Sequence, residues 1–178
     1  MLRSRRFKLP PRRVRRTALL VVEGDTEHAF CKYLKRNYNR DCGLSVTIHN
    51  ARGRSPDQIV DQARAKCCQA SYDRVYILMD EDFPIKLAKR HKTIRMLKAT
   101  LWLSSPYCIE GFFLTLLNQT VPTASAKCKD AFHKIGLSED HKLEPDRYST
   151  VFPVAALESL RAQHPLLDDV IKLFCNQH

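Results

Sequence analysis

The chain has 178 residues, 44% of them hydrophobic and 28% charged, enough to bury a core without disulfide staples and too apolar for a disordered polymer. Its formal charge is +11, from 30 Lys and Arg against 19 Asp and Glu. No run approaches the roughly 18 apolar residues of a membrane span, and the apolar run at 18–22 is too short for a secretory h-region.

The charge is uneven. Arg3, Arg5, Arg6, Lys8, Arg12, Arg13, Arg15 and Arg16 crowd residues 1–16 with no acid among them, and the rest carries 22 basic against 19 acidic residues. The excess is therefore a tail (1–16) suited to a polyanion such as nucleic acid. A transit peptide shares this composition, but Pro10-Pro11 would break its amphipathic helix. A solubilising leader is the bland alternative.

After the tail, Ala18-Leu19-Leu20-Val21-Val22 reads as a strand buried on both faces. Gly24 suits a turn, and Thr26 is placed to cap a helix to about residue 38 with Ala29, Phe30, Tyr33 and Leu34 on one face. A second strand at 44–48 alternates. Arg52-Gly53-Arg54 is a loop, and Ser55-Pro56-Asp57 starts a helix to about residue 70. A buried-type strand spans 74–79, followed by a basic helix over about 85–97 and a strand at 100–103. Residues 108–117 read as a strongly apolar helix, with further helices near 123–135, 153–163 and 166–176. The alternation predicts an α/β fold: a mainly parallel four-stranded sheet flanked by helices. It divides into the tail, an α/β domain at 17–118 and a helical C-terminal extension at 119–178.

The seven cysteines are scattered without a Cys-x-x-Cys pair, and the seven histidines lack the i, i+4 spacing of a helical zinc pair. Reduced thiols in a cytoplasmic protein are expected. Chemistry concentrates instead where two apolar strands end in acids: Glu23-Gly24-Asp25-Thr26-Glu27 after the first, and Asp80-Glu81-Asp82 after the third. In open parallel sheets, ligands sit at the carboxyl ends of strands. Alternation puts Asp80 and Asp82 on one side, while Glu23 and Glu27 lie four apart across the turn. Converging carboxylates repel unless a cation neutralises them. Hard oxygen ligands suit Mg2+ or Mn2+, and two such ions about 4 Å apart promote phosphodiester cleavage. Asp25 and Glu81 are expected to face solvent.

The segment Leu20-Val21-Val22-Glu23-Gly24-Asp25-Thr26-Glu27, followed 57 residues after Glu23 by Asp80-Glu81-Asp82, resembles the TOPRIM fold of topoisomerases, primases and nucleases. The Glu-Gly-x-Thr-Glu form is similar to the branch of overcoming-lysogenization-defect (OLD) and RloB-like nucleases. The stretch from Ser104 to Leu114 (Ser-Ser-Pro-Tyr-Cys-Ile-Glu-Gly-Phe-Phe-Leu) resembles that branch's Ser-Asn-Pro-x-Phe-Glu-x-Trp segment. The likeness covers roughly residues 10–118. It implies Glu23 as metal ligand and general base, and Asp80 and Asp82 as metal ligands. Glu27 and Glu110 would serve a second ion, with Ser105 nearby. Ser105 in place of Asn, Ile109 in place of Phe and Gly111-Phe112 in place of x-Trp are departures. The family further implies a prokaryotic anti-phage defence nuclease working with an ATPase partner, while one small domain with a short helical extension suits self-assembly.

The chain contains no Gly-x-x-x-x-Gly-Lys-[Ser/Thr], so nucleotide-driven control would come from another subunit. Arg12, Arg13, Arg52, Arg54, Lys86, Lys89 and Arg90 are expected to contact nucleic-acid phosphates, which supply affinity but no sequence choice. The rival readings are a primase-like nucleotidyl transferase, and a nucleic-acid-binding module whose acids are structural.

Overall fold

The computed structural model describes residues 15–40, 42–81, 87–135, 137, 141 and 143–177. Four strands, β1 (Arg16–Val22), β2 (Leu44–Asn50), β3 (Arg74–Asp80) and β4 (Thr100–Ser104), form one all-parallel sheet in the order β2-β1-β3-β4. The connecting helices are α1 (Asp25–Tyr38), α2 (Pro56–Gln69) and α3 (Leu87–Met96). The chain continues through α4 (Ile109–Leu116), α5 (Ser125–His133), α6 (Tyr148–Val151), α7 (Val154–Arg161) and α8 (Pro165–Cys175). The expected α/β architecture is present, with helices throughout the described C-terminal region.

The period-2 alternation of the strands divides the core. Leu20 and Val22 of β1, with Tyr76 and Leu78 of β3, face α1 and the C-terminal helices. Leu19, Val21, Ile77 and Met79 face the other way, against Ile59, Val60 and Ala63 of α2. Because the central strands are covered on both faces, their sequences are continuously apolar rather than alternating. At the edge, β2 alternates buried Leu44 and Val46 with exposed Ser45 and Thr47. The step from β1 to β2 runs one way across the sheet, and the steps to β3 and β4 run the other. Right-handed crossovers then place α1 and α2 on opposite faces. The strand order therefore switches between β1 and β3.

The helices after residue 118 belong to the same core as the sheet. Phe113 of α4 packs at ring-centroid distances of 4.8 Å from Phe30 of α1, 5.0 Å from Phe132 of α5 and 5.2 Å from Phe152. Tyr148 of α6 is fully buried and donates its hydroxyl to the Thr26 carbonyl at 3.3 Å. Leu167, Val170, Ile171 and Phe174 of α8 recur at helical spacing and close this face. The short α6 and the 3-10 turn at Pro145–Arg147 have no counterpart in the sequence reading, being too short to establish periodicity.

Local chemistry sets the helix starts. Pro56 occupies the first turn of α2, and the Ser55 N–H donates to Gln58 Oε1 at 3.2 Å, half of a capping box. Thr26 does not cap α1 as expected: Gly24 holds the N-cap position, and Thr26 lies inside the first turn with its hydroxyl engaged elsewhere. Among the described residues, no helix is long and apolar enough to cross a membrane. All seven cysteines are free thiols.

Candidate metal centre

Glu23 and Asp80 come together because β1 and β3 are hydrogen-bonded neighbours, with Val22 level with Leu78. The Asp80 N–H donates to Glu23 Oε2 at 2.9 Å, and the Glu23 N–H to the Leu78 carbonyl at 3.1 Å. Asp80 shares the parity of Tyr76 and Leu78, so its side chain falls on the face covered by α1 and α4. Those helices contribute Glu27 and Glu110, each only 3% exposed. The four carboxylates, with Gly24, Asp25, Thr26, Gly53, Ile109 and Lys129, line one cleft of about 170 Å3. The cleft lies at the carboxyl end of the sheet, at the switch between β1 and β3, where open parallel sheets hold ligands.

Neighbouring donors fix three of the four acids. Asp80 Oδ1 accepts the Ser104 hydroxyl at 2.6 Å and the Ile109 N–H at 3.0 Å. The second is a helix N-terminal amide without an intrahelical acceptor. Glu110 Oε1 accepts the Thr26 hydroxyl at 3.1 Å. Glu23 is held by the Asp80 amide already described. The N-termini of α1 and α4 both meet the cleft, so their partial positive charges soften its field.

That softening is incomplete. Glu27 is pushed well above its ordinary carboxyl pKa, first by burial and then by Asp80, Glu110 and Glu23. Asp80 is raised to about 7, chiefly by burial and further by Glu23 and Glu110, against the lowering effect of its Ser104 and Ile109 bonds. Glu110 Oε2 is buried and has no hydrogen-bond partner. Lys129 of α5 is the one cation lining the cleft among the described residues. Burial disfavours its charge, but Glu110 and Asp80 outweigh that and raise its pKa.

The donor chemistry fits a hard divalent cation: oxygen donors only, an unmet buried carboxylate oxygen, and repulsion that a cation would relieve. Among the described residues, no three His, Cys, Asp or Glu side chains are already arranged as a ligand cage. Asp82, expected as the partner of Asp80, lies outside the described residues.

The remaining expected residues distribute as follows. Asp25 and Glu81 are exposed, as expected. Ser105 donates to Glu81 Oε2 at 2.7 Å, whereas Ser104 is the serine bound to Asp80. Arg52 and Arg54 flank Gly53 at the rim of the cleft. Arg12, Arg13 and Lys86 lie outside the described residues, as do the side chains of Lys89 and Arg90. Sequence reasoning missed Thr26 as the partner of Glu110, Ser104 as the partner of Asp80, and Lys129. Register could have found Ser104, since strand alternation from buried Trp102 puts it inward opposite Asp80. No local signal marks Lys129. Gly111 is also structural: a Cβ there would stand 2.1 Å from the Pro106 carbonyl oxygen, so α4 approaches this loop as only glycine allows.

Comparison with family models, with curated proteins and with solved structures finds no match.

Proposed function

We propose that this chain is a Mg2+- or Mn2+-dependent nuclease of the TOPRIM kind that hydrolyses phosphodiester bonds in DNA or RNA. The observation that carries the reading is the cleft at the β1/β3 switch. Four buried carboxylates share it, two with raised pKa values, and one buried oxygen of Glu110 is unsatisfied. A purely structural role would call for apolar residues or a paired cation at this depth.

In this reading Glu23, Asp80 and Glu110, with Glu27, hold one or two ions. Such ions supply activated water and neutralise charge on the phosphate. Ser104 and the Ile109 amide orient Asp80, Thr26 orients Glu110, and the Asp80 amide orients Glu23. Glu23 sits on the strand end as general base, the role the resemblance gives it. Lys129 offers the cleft a positive charge toward a phosphate. The basic leader and the loop arginines suit a polyanionic substrate. An ATPase partner and a role in anti-phage defence follow from the same resemblance, a cytoplasmic location follows from the scattered cysteines, and all three are proposed with it.

The test is cleavage of labelled single-stranded DNA, duplex DNA and RNA by the full chain with Mg2+ or Mn2+ and no nucleotide. Cleavage is expected to fall at least a hundredfold in Glu23→Gln while folding persists, in line with the loss of a principal catalytic group. The reading fails if the wild type shows no metal-dependent cleavage, alone or with an ATPase encoded beside it. It fails equally if cleavage survives Glu23→Gln. A requirement for nucleoside triphosphate would favour nucleotidyl transfer.

A further inference from the structure

Beside the acidic cleft lies a second, larger cavity of about 590 Å3, lined by residues that include Asp25, His28, His49, Arg52, Arg54 and Gln62. The two are contiguous: Asp25 lines both, and Gly53 of the acidic cleft sits between Arg52 and Arg54 of the groove. We propose that this groove seats a phosphate of the nucleic-acid strand next to the scissile bond and does so without reading base sequence. The proposal rests on the nuclease reading and adds where the substrate strand lies and how it is recognised.

Several polar groups of the groove are already committed within the protein. Asn50 gives its Nδ2 to Asp25 Oδ1 at 2.6 Å and accepts the Arg52 N–H on Oδ1 at 2.7 Å. His49 Nε2 and Gln62 Oε1 bond to each other at 2.7 Å, and Gln62 Nε2 donates to the Ala51 carbonyl at 3.5 Å. Each side-chain amide is therefore held within the protein through one N–H and its oxygen, which reduces the groups left to pair with a base edge. The arginines of the groove stay uncommitted. Arg52 and Arg54 are exposed, and among the described residues neither guanidinium has a hydrogen-bond or ion-pair partner. A guanidinium fork matches phosphate geometry and carries affinity without sequence information.

The loop is built to present them. Arg52 adopts φ +60° and Gly53 φ +64°, both left-handed. The strained arginine is held by the Asn50 bracket, and Gly53 is tied to the residue that follows β1 by its N–H to the Glu23 carbonyl at 2.8 Å. A strand anchored here would run directly into the carboxylate cleft.

The test measures binding by fluorescence anisotropy in Ca2+ at several salt concentrations. The probes are labelled 20-mers of oligo-dT, of mixed-sequence single-stranded DNA and of mixed-sequence RNA. Relative to the wild-type full chain, Arg52→Gln/Arg54→Gln should bind each probe about tenfold more weakly. Its log K against log salt slope should be shallower by about 1.4, for two lost single-strand phosphate contacts. Both side chains are exposed, so circular dichroism should show an unchanged fold. Arg52→Glu/Arg54→Glu should weaken binding further. Unchanged affinity and slope, no binding by the wild type, or a loss confined to one base sequence would overturn the proposal. Cleavage that needs Glu23 but ignores the arginines sinks the groove alone. Arginine-dependent binding without any metal-dependent cleavage sinks the nuclease reading alone.

Discussion

Replacing Asp80 by Asn should make the metal-free protein more stable at neutral pH, although the residue lies at the centre of the proposed site. Burial and the charges of Glu23 and Glu110 raise Asp80 from 3.8 to about 7. A carboxyl whose folded pKa lies above its unfolded value supports the fold below the unfolded pKa. It loses that support as pH rises toward the folded pKa, because the unfolded chain releases its proton first. The separation of about three pH units corresponds to roughly 4 kcal/mol at pH 8. For a chain of this size that is a melting shift of about 10 °C. Asn keeps an acceptor for the Ser104 hydroxyl and the Ile109 amide, and it cannot ionise. His28 opposes this trend: burial and Lys32 lower its pKa, so it favours the fold as pH rises. That contribution is common to both proteins and cancels in their difference. The assay is thermal unfolding with a chelator from pH 4 to 8, then with 10 mM Mg2+. The two melting curves should coincide near pH 4 and separate up to pH 7. Mg2+ should raise the wild type more than the variant, closing the gap by mass action. A variant equal to or less stable than wild type at pH 8 in chelator would refute the reasoning.

Two further perturbations probe the same cleft. Lys129→Met removes its lining cation, so the metal-free protein should melt lower at pH 8 and bind Mg2+ more tightly by calorimetric titration. Gly111→Ala gains helix propensity but drives a Cβ to 2.1 Å from the Pro106 carbonyl oxygen. It should cost about 1–3 kcal/mol in chemical denaturation. It should also impair cleavage, because α4 carries both Glu110 and the Ile109 amide that holds Asp80.

Sequence alone determined the layered fold. The apolar run at 18–22, the buried-type strand at 74–79 and the helical spacing of Ala29, Phe30, Tyr33 and Leu34 follow from backbone periodicity, which is local. It also determined that Glu23 and Asp80 stand at strand ends, since each directly follows an apolar run. Tertiary structure decided what those acids meet. Strand order β2-β1-β3-β4 made β1 and β3 neighbours, and no periodicity encodes that adjacency. Helix packing then brought Glu110 onto Thr26 across 84 residues, and Lys129 of α5 to the rim. The aromatic cluster around Phe113 fixed α5 and α6 against α1 and α4. That is why the region after residue 118, which reads as an extension in the sequence, supplies part of the cleft. Burial depth and mutual repulsion depend on distances between segments remote in the chain, so the raised pKa of Asp80 was visible only once those segments had packed.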